Sequence, residues 1–481
     1  MVGSRRAGVI CVPVVVAIAS LLVSGCGGGG AAARLRGRLL SAADLPAGWS
    51  EVRTSTSAPR VTSTPCLAGL PAKPRGWIYQ TAAFVDGASI PNVGEVLASG
   101  GQAAHAWARF ARALAHCRTA TLRLGGVNVE ATVHALALPR IGRISSAYTW
   151  RLTFTLSGIR IGFDLVLFQT EQFAGYLTYA DLGSPAVSTV TAFVRAAVAK
   201  AKSGSTAPVS AAVSITSAPV LAAKTSLGRV AYRMTGDGPP LILITGYSGT
   251  MESWDRRLVD GLARHHRVVI FDNAGVGRTQ PLPAPLSVDA MADQTGALID
   301  ALHLGRVSVL GWSMGSMIAQ ALAVRHPSQV RRLVLCASFP GNGAAVRPSR
   351  QELNAFESGQ PQKVMAALFP ADQTAAKNTY LAAISSYPAA RAAPSATVAA
   401  QGHAVDAWWA GTDTAGEKIA TIAVPTLIAD GAADKLDPVA NSRRLAKLIP
   451  NAELRLYSDA GHAFLFQDEA SLLPLLESFL G

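Results

Sequence analysis

From about residue 219 onward, the chain alternates short runs that are apolar on both faces with longer stretches of helical periodicity. "LILITG" is followed by the amphipathic "WDRRLVDGLARHH" and then by "RVVIFD". "VDAMADQTGALIDALHL" leads to "RVSVLGWS", and "MGSMIAQALAVRHP" leads to "VRRLVLCA". A strand with one wet face alternates apolar and polar residues. A strand apolar on both faces needs cover on both, and intervening helices supply it. The pattern therefore predicts an α/β fold over 219–481, a mostly parallel, doubly wound sheet. The alternation pauses after "VRRLVLCA" and resumes at "VPTLIAD". An insertion of that length between two strands predicts a helical, lid-like subdomain at about 340–421. Trp408 and Trp409 within it are expected either to shape an apolar acyl or alcohol pocket or to serve ordinary lid packing.

A chain of 481 residues exceeds one ordinary core. Residues 41–203 supply a second, smaller α+β domain. In it "AYTWRLTFTLSG" and "RIGFDLVLFQT" predict a hairpin turned by Ser157 and Gly158. The small, polar, proline-containing residues 204–218 predict a linker. Residues 26–203 carry 18 Lys and Arg against 8 Asp and Glu, whereas 204–481 carry 23 against 22, so the basic surplus lies in the N-terminal half. It reads as a solvated arginine-rich surface. The absence of a dense basic run with interleaved aromatics argues against nucleic acid as a partner.

The first residues read as an address. Arg5 and Arg6 precede an apolar run from Val9 to Val23, then small residues and Cys26. That is the order of a secretory signal at 1–25; the run is short for a membrane span, and Pro13 interrupts it. "VSGC" resembles a bacterial lipobox. The resemblance implies that Cys26 carries a lipid, that 26–40 form a tether, and that the protein is membrane-anchored on the extracytoplasmic face. In such an oxidising compartment Cys66 and Cys117 are expected to pair. Cys336 ends an apolar run and is expected to be buried and inert. No CxxC or HxxxH spacing suggests a metal site. Through "LPAGW" and its two cysteines the N-terminal domain loosely resembles extracytoplasmic sensor-like domains of actinobacterial lipoproteins.

"GWSMG", residues 311–315, sits between a strand-like run and a helix-like one. A serine at such a turn can present its oxygen to a pocket, and flanking glycines let neighbouring backbone approach. A serine hydroxyl becomes a competent nucleophile when a histidine takes its proton, and that histidine needs a carboxylate to hold its tautomer. Of the nine histidines, His462 in "DAGHAFLFQDE" alone follows a strand run with a glycine beside it. For the acid, "VPTLIADGAADKLDP" offers Asp430, Asp434 and Asp437. Asp437 directly precedes Pro438, where it also suits a helix N-cap.

Taken in order, "LITGYSG", "FDNAGVGRT", "GWSMG", "DGAADKLDP" and "DAGHAFLF" resemble the α/β-hydrolase superfamily over residues 219–481. The resemblance implies Ser313 as nucleophile, Asp434 as acid (from the Gly-x-x-Asp-x-x-x-Pro pattern) and His462 as base. It implies acyl transfer to water with no cofactor or metal. The family usually has His-Gly where this chain has Thr245 and Gly246. Backbone N–H groups of Tyr247 and Met314 are the expected oxyanion donors. "FDNAGVGRT" is expected to be a tight turn. A small carboxylic ester or other acyl substrate is the first expectation. Peptidase, thioesterase and cofactor-free haloperoxidase chemistry share the fold, and a non-catalytic binding or sensor lipoprotein is the alternative of another class.

Overall fold

The computed structural model describes residues 30–46, 49–52, 78–86, 91–99, 111–113, 115–124, 127–139, 141, 146–156, 158–170, 172–206, 214–388 and 390–481. Two compact units divide the chain, residues 1–211 and 212–481.

The first unit is built on a mostly antiparallel sheet. Its strands are β1 (Trp49–Glu51), β2 (Ile78–Asp86), β3 (Asn92–Ser99), β4 (Thr119–Leu124), β5 (Val127–Ala135), β6 (Ser146–Leu156), β7 (Ile159–Gln169) and β8 (Ala174–Leu182), in the order β1-β2-β3-β8-β7-β6-β5-β4. β6 and β7 pair from Ser146↔Gln169 to Leu156↔Ile159. Their turn contains Gly158 at φ 77°, a conformation glycine adopts without steric cost. Helix α1 (Gly30–Arg36) and helix α2 (Val187–Ser203) also belong to the unit. The stretch expected as a tether is thus partly packed, with Leu35, Leu39 and Leu40 buried in this core. Phe193, Val194 and Ala197 of α2 pack against Phe84, Leu97, Val166 and Leu177 of the sheet. The same unit buries Asp44, paired with Lys200, and Glu95, which is fully buried. One Glu95 oxygen accepts the Leu40 N–H at 2.7 Å, and the other has no partner. Burial pushes this carboxyl up to about 8. Cys117 is disulfide-bonded. Cys66, like Cys26 and the stretch 1–25 expected as a secretory signal, lies outside the described residues.

The second unit contains β9 (Leu221–Thr225), β10 (Gly228–Thr235), β11 (Pro240–Ile244), β12 (Arg267–Phe271), β13 (Val307–Trp312), β14 (Val330–Cys336), β15 (Thr426–Gly431) and β16 (Ala452–Tyr457). The order is β16-β15-β14-β13-β11-β12-β10-β9. The six strands from β16 to β12 run parallel, and β10 and β9 add an antiparallel edge. Every residue of β13 and β15 is buried, which is why their sequences lack polar alternation. Adjacent residues of β13 feed opposite layers. Val309 packs with Met291, Ile318 and Leu322 of helices α4 (Val288–Ala301) and α5 (Met314–Arg325). Leu310 packs in the layer that contains Leu258 and Leu476, from helices α3 (Arg256–Leu262) and α12 (Glu469–Leu480).

Between β14 and β15 come α6 (Arg350–Glu357), α7 (Pro361–Leu368), α8 (Thr374–Ile384), α9 (Ser395–Ala410) and a short 3-10 turn, Gly416–Thr421. The tryptophan pair does not frame a pocket. Trp408 is fully buried and donates its indole N–H to the Phe339 carbonyl at 3.1 Å. The Trp409 ring lies 5.2 Å from that of Phe339. Both join the core layer of Ile318 and Ile419, because two large apolar rings gain more from full burial than from lining an opening. Residues 214–218, the end of the segment read as a linker, are packed as well. Ile215 and Ala218 are buried, and Ser214 Oγ and the Ile215 N–H both donate to the Asp260 carboxylate at 2.7 Å. Among the described residues, no helix is long and apolar enough to cross a membrane.

Candidate active site

Ser313 sits where β13 becomes α5, at φ 58° and ψ −127°. This positive φ is costly for a residue with a Cβ, by about 1–3 kcal/mol, so the surroundings must over-determine it. They do so through close backbone approach. A Cβ on Gly311 would run into the Gly315 carbonyl, and one on Gly315 into the Ile244 carbonyl. The Ser313 N–H donates to the Cys336 carbonyl at 3.0 Å, which ties the turn to β14. Cys336 itself is free, fully buried, and its thiol is pushed up by burial.

Two loops at the same carboxyl end of the sheet bring His462 and Asp434 together. His462 follows β16 and precedes the short helix α11 (Phe464–Gln467); Asp434 follows β15. His462 Nδ1 and Asp434 Oδ2 are 2.8 Å apart, and both side chains are buried. A carboxylate only accepts, so Nδ1 carries the hydrogen, and in the neutral ring Nε2 keeps its lone pair. Asp434 Oδ1 accepts the N–H groups of Leu436 at 2.8 Å and Asp437 at 2.7 Å. Of the three aspartates at the end of β15 and in the loop after it, Asp434 is thus the one that holds the imidazole. Asp430 accepts from Ser442 Oγ at 2.7 Å. Asp437 accepts from Asn441 Nδ2 at 2.8 Å and caps no helix: helix α10 (Ala440–Leu448) starts beyond Val439 with no side-chain cap. Each keeps one buried oxygen without a partner. Burial, and then the neighbouring carboxylates, hold both carboxyls well above the usual range.

Ser313 is partly exposed, and among the described residues no hydrogen bond joins its Oγ to His462. Such links are commonly long before substrate binds. Beside it, Gly246 lies so close that an added Cβ would stand 3.0 Å from Ser313 Cβ and 3.5 Å from its Oγ. Tyr247 therefore follows directly on the residue touching Ser313, and Met314 opens the first turn of α5, where helix N–H groups lack intrahelical partners. Tyr247 is half-buried; burial, then Glu357 and Asp406, push its phenol up.

Three supports were not legible as such. The indole N–H of Trp312, the first of the two variable residues inside "GWSMG", donates to the His462 carbonyl at 3.0 Å, with the two rings 5.7 Å apart. Asn273 Nδ2 donates to the Thr245 carbonyl at 3.1 Å. Gln401 Oε1, from α9, accepts the Ser248 N–H at 2.8 Å. "FDNAGVGRT" is therefore more than a turn: Asn273 pins the loop after β11, and Asp272 accepts the Met251 N–H at 2.9 Å. A polar pair at a strand end, Asp272-Asn273, was the available signal.

The alpha/beta hydrolase fold model matches residues 239–469. RutD of Pseudomonas syringae pv. syringae, named as a carbamate hydrolase, is 31% identical over 250 residues, which cover 51% of this chain and 94% of that protein. The chain belongs to the alpha/beta hydrolase fold family. The 2-hydroxymuconate semialdehyde hydrolase of a Pseudomonas species is 29% identical over 254 residues, covering 51% of this chain and 88% of its own. Among solved structures, an alpha/beta hydrolase fold protein from Chitinophaga pinensis matches with a TM-score of 0.50 and 26% identity, over 56% of this chain and 99% of that one. The relatives are hydrolases, and an alpha/beta hydrolase acting on a small molecule is the function they support.

Proposed function

We propose that this alpha/beta hydrolase is a serine esterase that works through an acyl-enzyme, with Ser313 as nucleophile, His462 as base and Asp434 as the carboxylate that orients it. The observation that carries the reading is the 2.8 Å contact of buried His462 Nδ1 with Asp434 Oδ2, beside a serine at positive φ. Nε2 then accepts the serine proton as Oγ attacks a substrate carbonyl. The Tyr247 and Met314 N–H groups receive the developing oxyanion, each donor contributing about 3–4 kcal/mol by deletion. His462 returns the proton to the leaving group, then takes one from water to release the acid. The helices α6 to α9 act as a lid over this site. Arg5, Arg6, the apolar run and Cys26 support secretion and lipid anchoring to the outer face of the membrane.

The test is labelling by a fluorophosphonate, combined with turnover of p-nitrophenyl esters, aryl carbamates and vinylogous diketones side by side. Ester turnover and labelling that Ser313→Ala both abolishes are expected, with the fold retained by circular dichroism. Preference for the carbamate or the diketone would replace the ester assignment while keeping the nucleophile. Labelling of Ser313→Ala at the wild-type rate would remove Ser313 itself.

A further inference from the structure

The loop after β11 carries the proposed oxyanion donor, and it is an unusual stretch of backbone. Ser248 is a non-glycine residue at φ 56°. The Gly249 N–H turns back onto the Gly246 carbonyl at 3.2 Å. Asn273 holds the Thr245 carbonyl. A second hold comes from a residue 153 positions away: Gln401 Oε1, accepting the Ser248 N–H at 2.8 Å. Gln401 is fully buried, and its Nε2 has no partner. Only the acceptor half of its carboxamide is used. Desolvating the idle N–H2 costs about 1–3 kcal/mol, which a purely packing role would avoid with an apolar side chain. One further hydrogen bond and one close approach set α9 against the same loops. Thr397, one helical turn before Gln401 and on the same face, donates its hydroxyl to the Gly275 carbonyl at 3.2 Å. At Gly402 a Cβ would stand 3.6 Å from the Tyr247 hydroxyl.

We infer that Gln401 is a positioning residue for the oxyanion donor: by holding the Ser248 N–H, the inserted helix α9 fixes the strained backbone that aims the Tyr247 N–H at the substrate oxygen. The inference rests on the esterase reading above. It makes the helical insertion part of the catalytic geometry, because the loop is aimed correctly only while α9 is seated on it.

The experiment compares Gln401→Met, Gln401→Asn and Gln401→Glu in the full-length protein. Met is close in volume and lacks the acceptor; Asn keeps a carboxamide but withdraws it by one methylene; Glu keeps an acceptor oxygen at the same place. With a p-nitrophenyl ester that the wild type hydrolyses, Q401M and Q401N are expected to lose at least about tenfold in kcat with KM within about threefold, because an ångström of misalignment costs up to about 100-fold in rate. Q401E is expected to stay within about threefold of wild type. A change confined to KM or to the melting temperature overturns the inference, as does unchanged kcat in the acceptor-free variants. So does a Q401E loss as deep as that of Q401M. If Q401M does not fold, Q401N decides. Wild-type protein that neither labels with fluorophosphonate nor turns over ester would overturn the esterase reading first, and this inference with it.

Discussion

Three aspartates within eight residues, all buried, have separate tasks set by their partners. Asp434 spends both oxygens on three donors, one of them the imidazole. Asp434→Asn is expected to cut turnover by roughly four orders of magnitude, since an amide can present its N–H2 to Nδ1 and fix the wrong tautomer. Asp430→Asn and Asp437→Asn replace carboxyls whose charged form burial and the neighbouring carboxylates disfavour, and should retain turnover within about tenfold. Steady-state assays after matching the three variants for melting temperature decide between them. An inactive Asp437→Asn beside an active Asp434→Asn would move the acid by three residues. The sequence narrowed the choice to this loop and the motif spacing pointed to Asp434. It did not reveal that Asp437 bonds Asn441 instead of capping a helix, because a cap and a side-chain pair place the same residue types before a proline. Gln401 left no sequence signal, since a hydrogen bond across 153 residues depends on tertiary packing alone.

At the scale of elements, the β13–α5 turn is held by backbone contact, and Gly315→Ala tests this. Its new methyl would collide with the Ile244 carbonyl of the neighbouring strand, where no flexible side chain can yield. The expected loss is about 1–3 kcal/mol or more, read as a lower denaturant midpoint with an unchanged slope. An unaltered midpoint would mean that the turn has slack. Strands apolar on both faces could be read directly from sequence because parallel strands leave no wet side. For a related reason the sequence leaves the tryptophan pair open between lining a pocket and packing the lid. Composition identifies residues that seek burial without saying whether ligand or protein buries them, and here Phe339 and Gly341 do so.

At the scale of the whole molecule, the first unit carries its own pH dependence. Glu95 keeps its proton in the folded state up to about 8, whereas an exposed glutamate loses it near 4.5. Between those values the folded chain binds more protons than the unfolded one, so stability falls as pH rises through that window and levels off above it. Calorimetry of the full chain should therefore show the transition of this unit moving down as pH rises across the window, and Glu95→Gln should flatten that slope. A slope unchanged in the variant would assign it to other groups. Cys26→Ala should leave the protein unlabelled by metabolic lipid tagging and absent from the membrane fraction; unchanged tagging would dismiss the anchor. Finally, β13 and β16 are separated in the sheet by β14 and β15. The Trp312 indole, bonded to the His462 carbonyl, spans that gap as a chord. Ser313 is its covalent neighbour, so one hydrogen bond ties the turn that carries the hydroxyl to the loop that carries the imidazole, across the two strands between them.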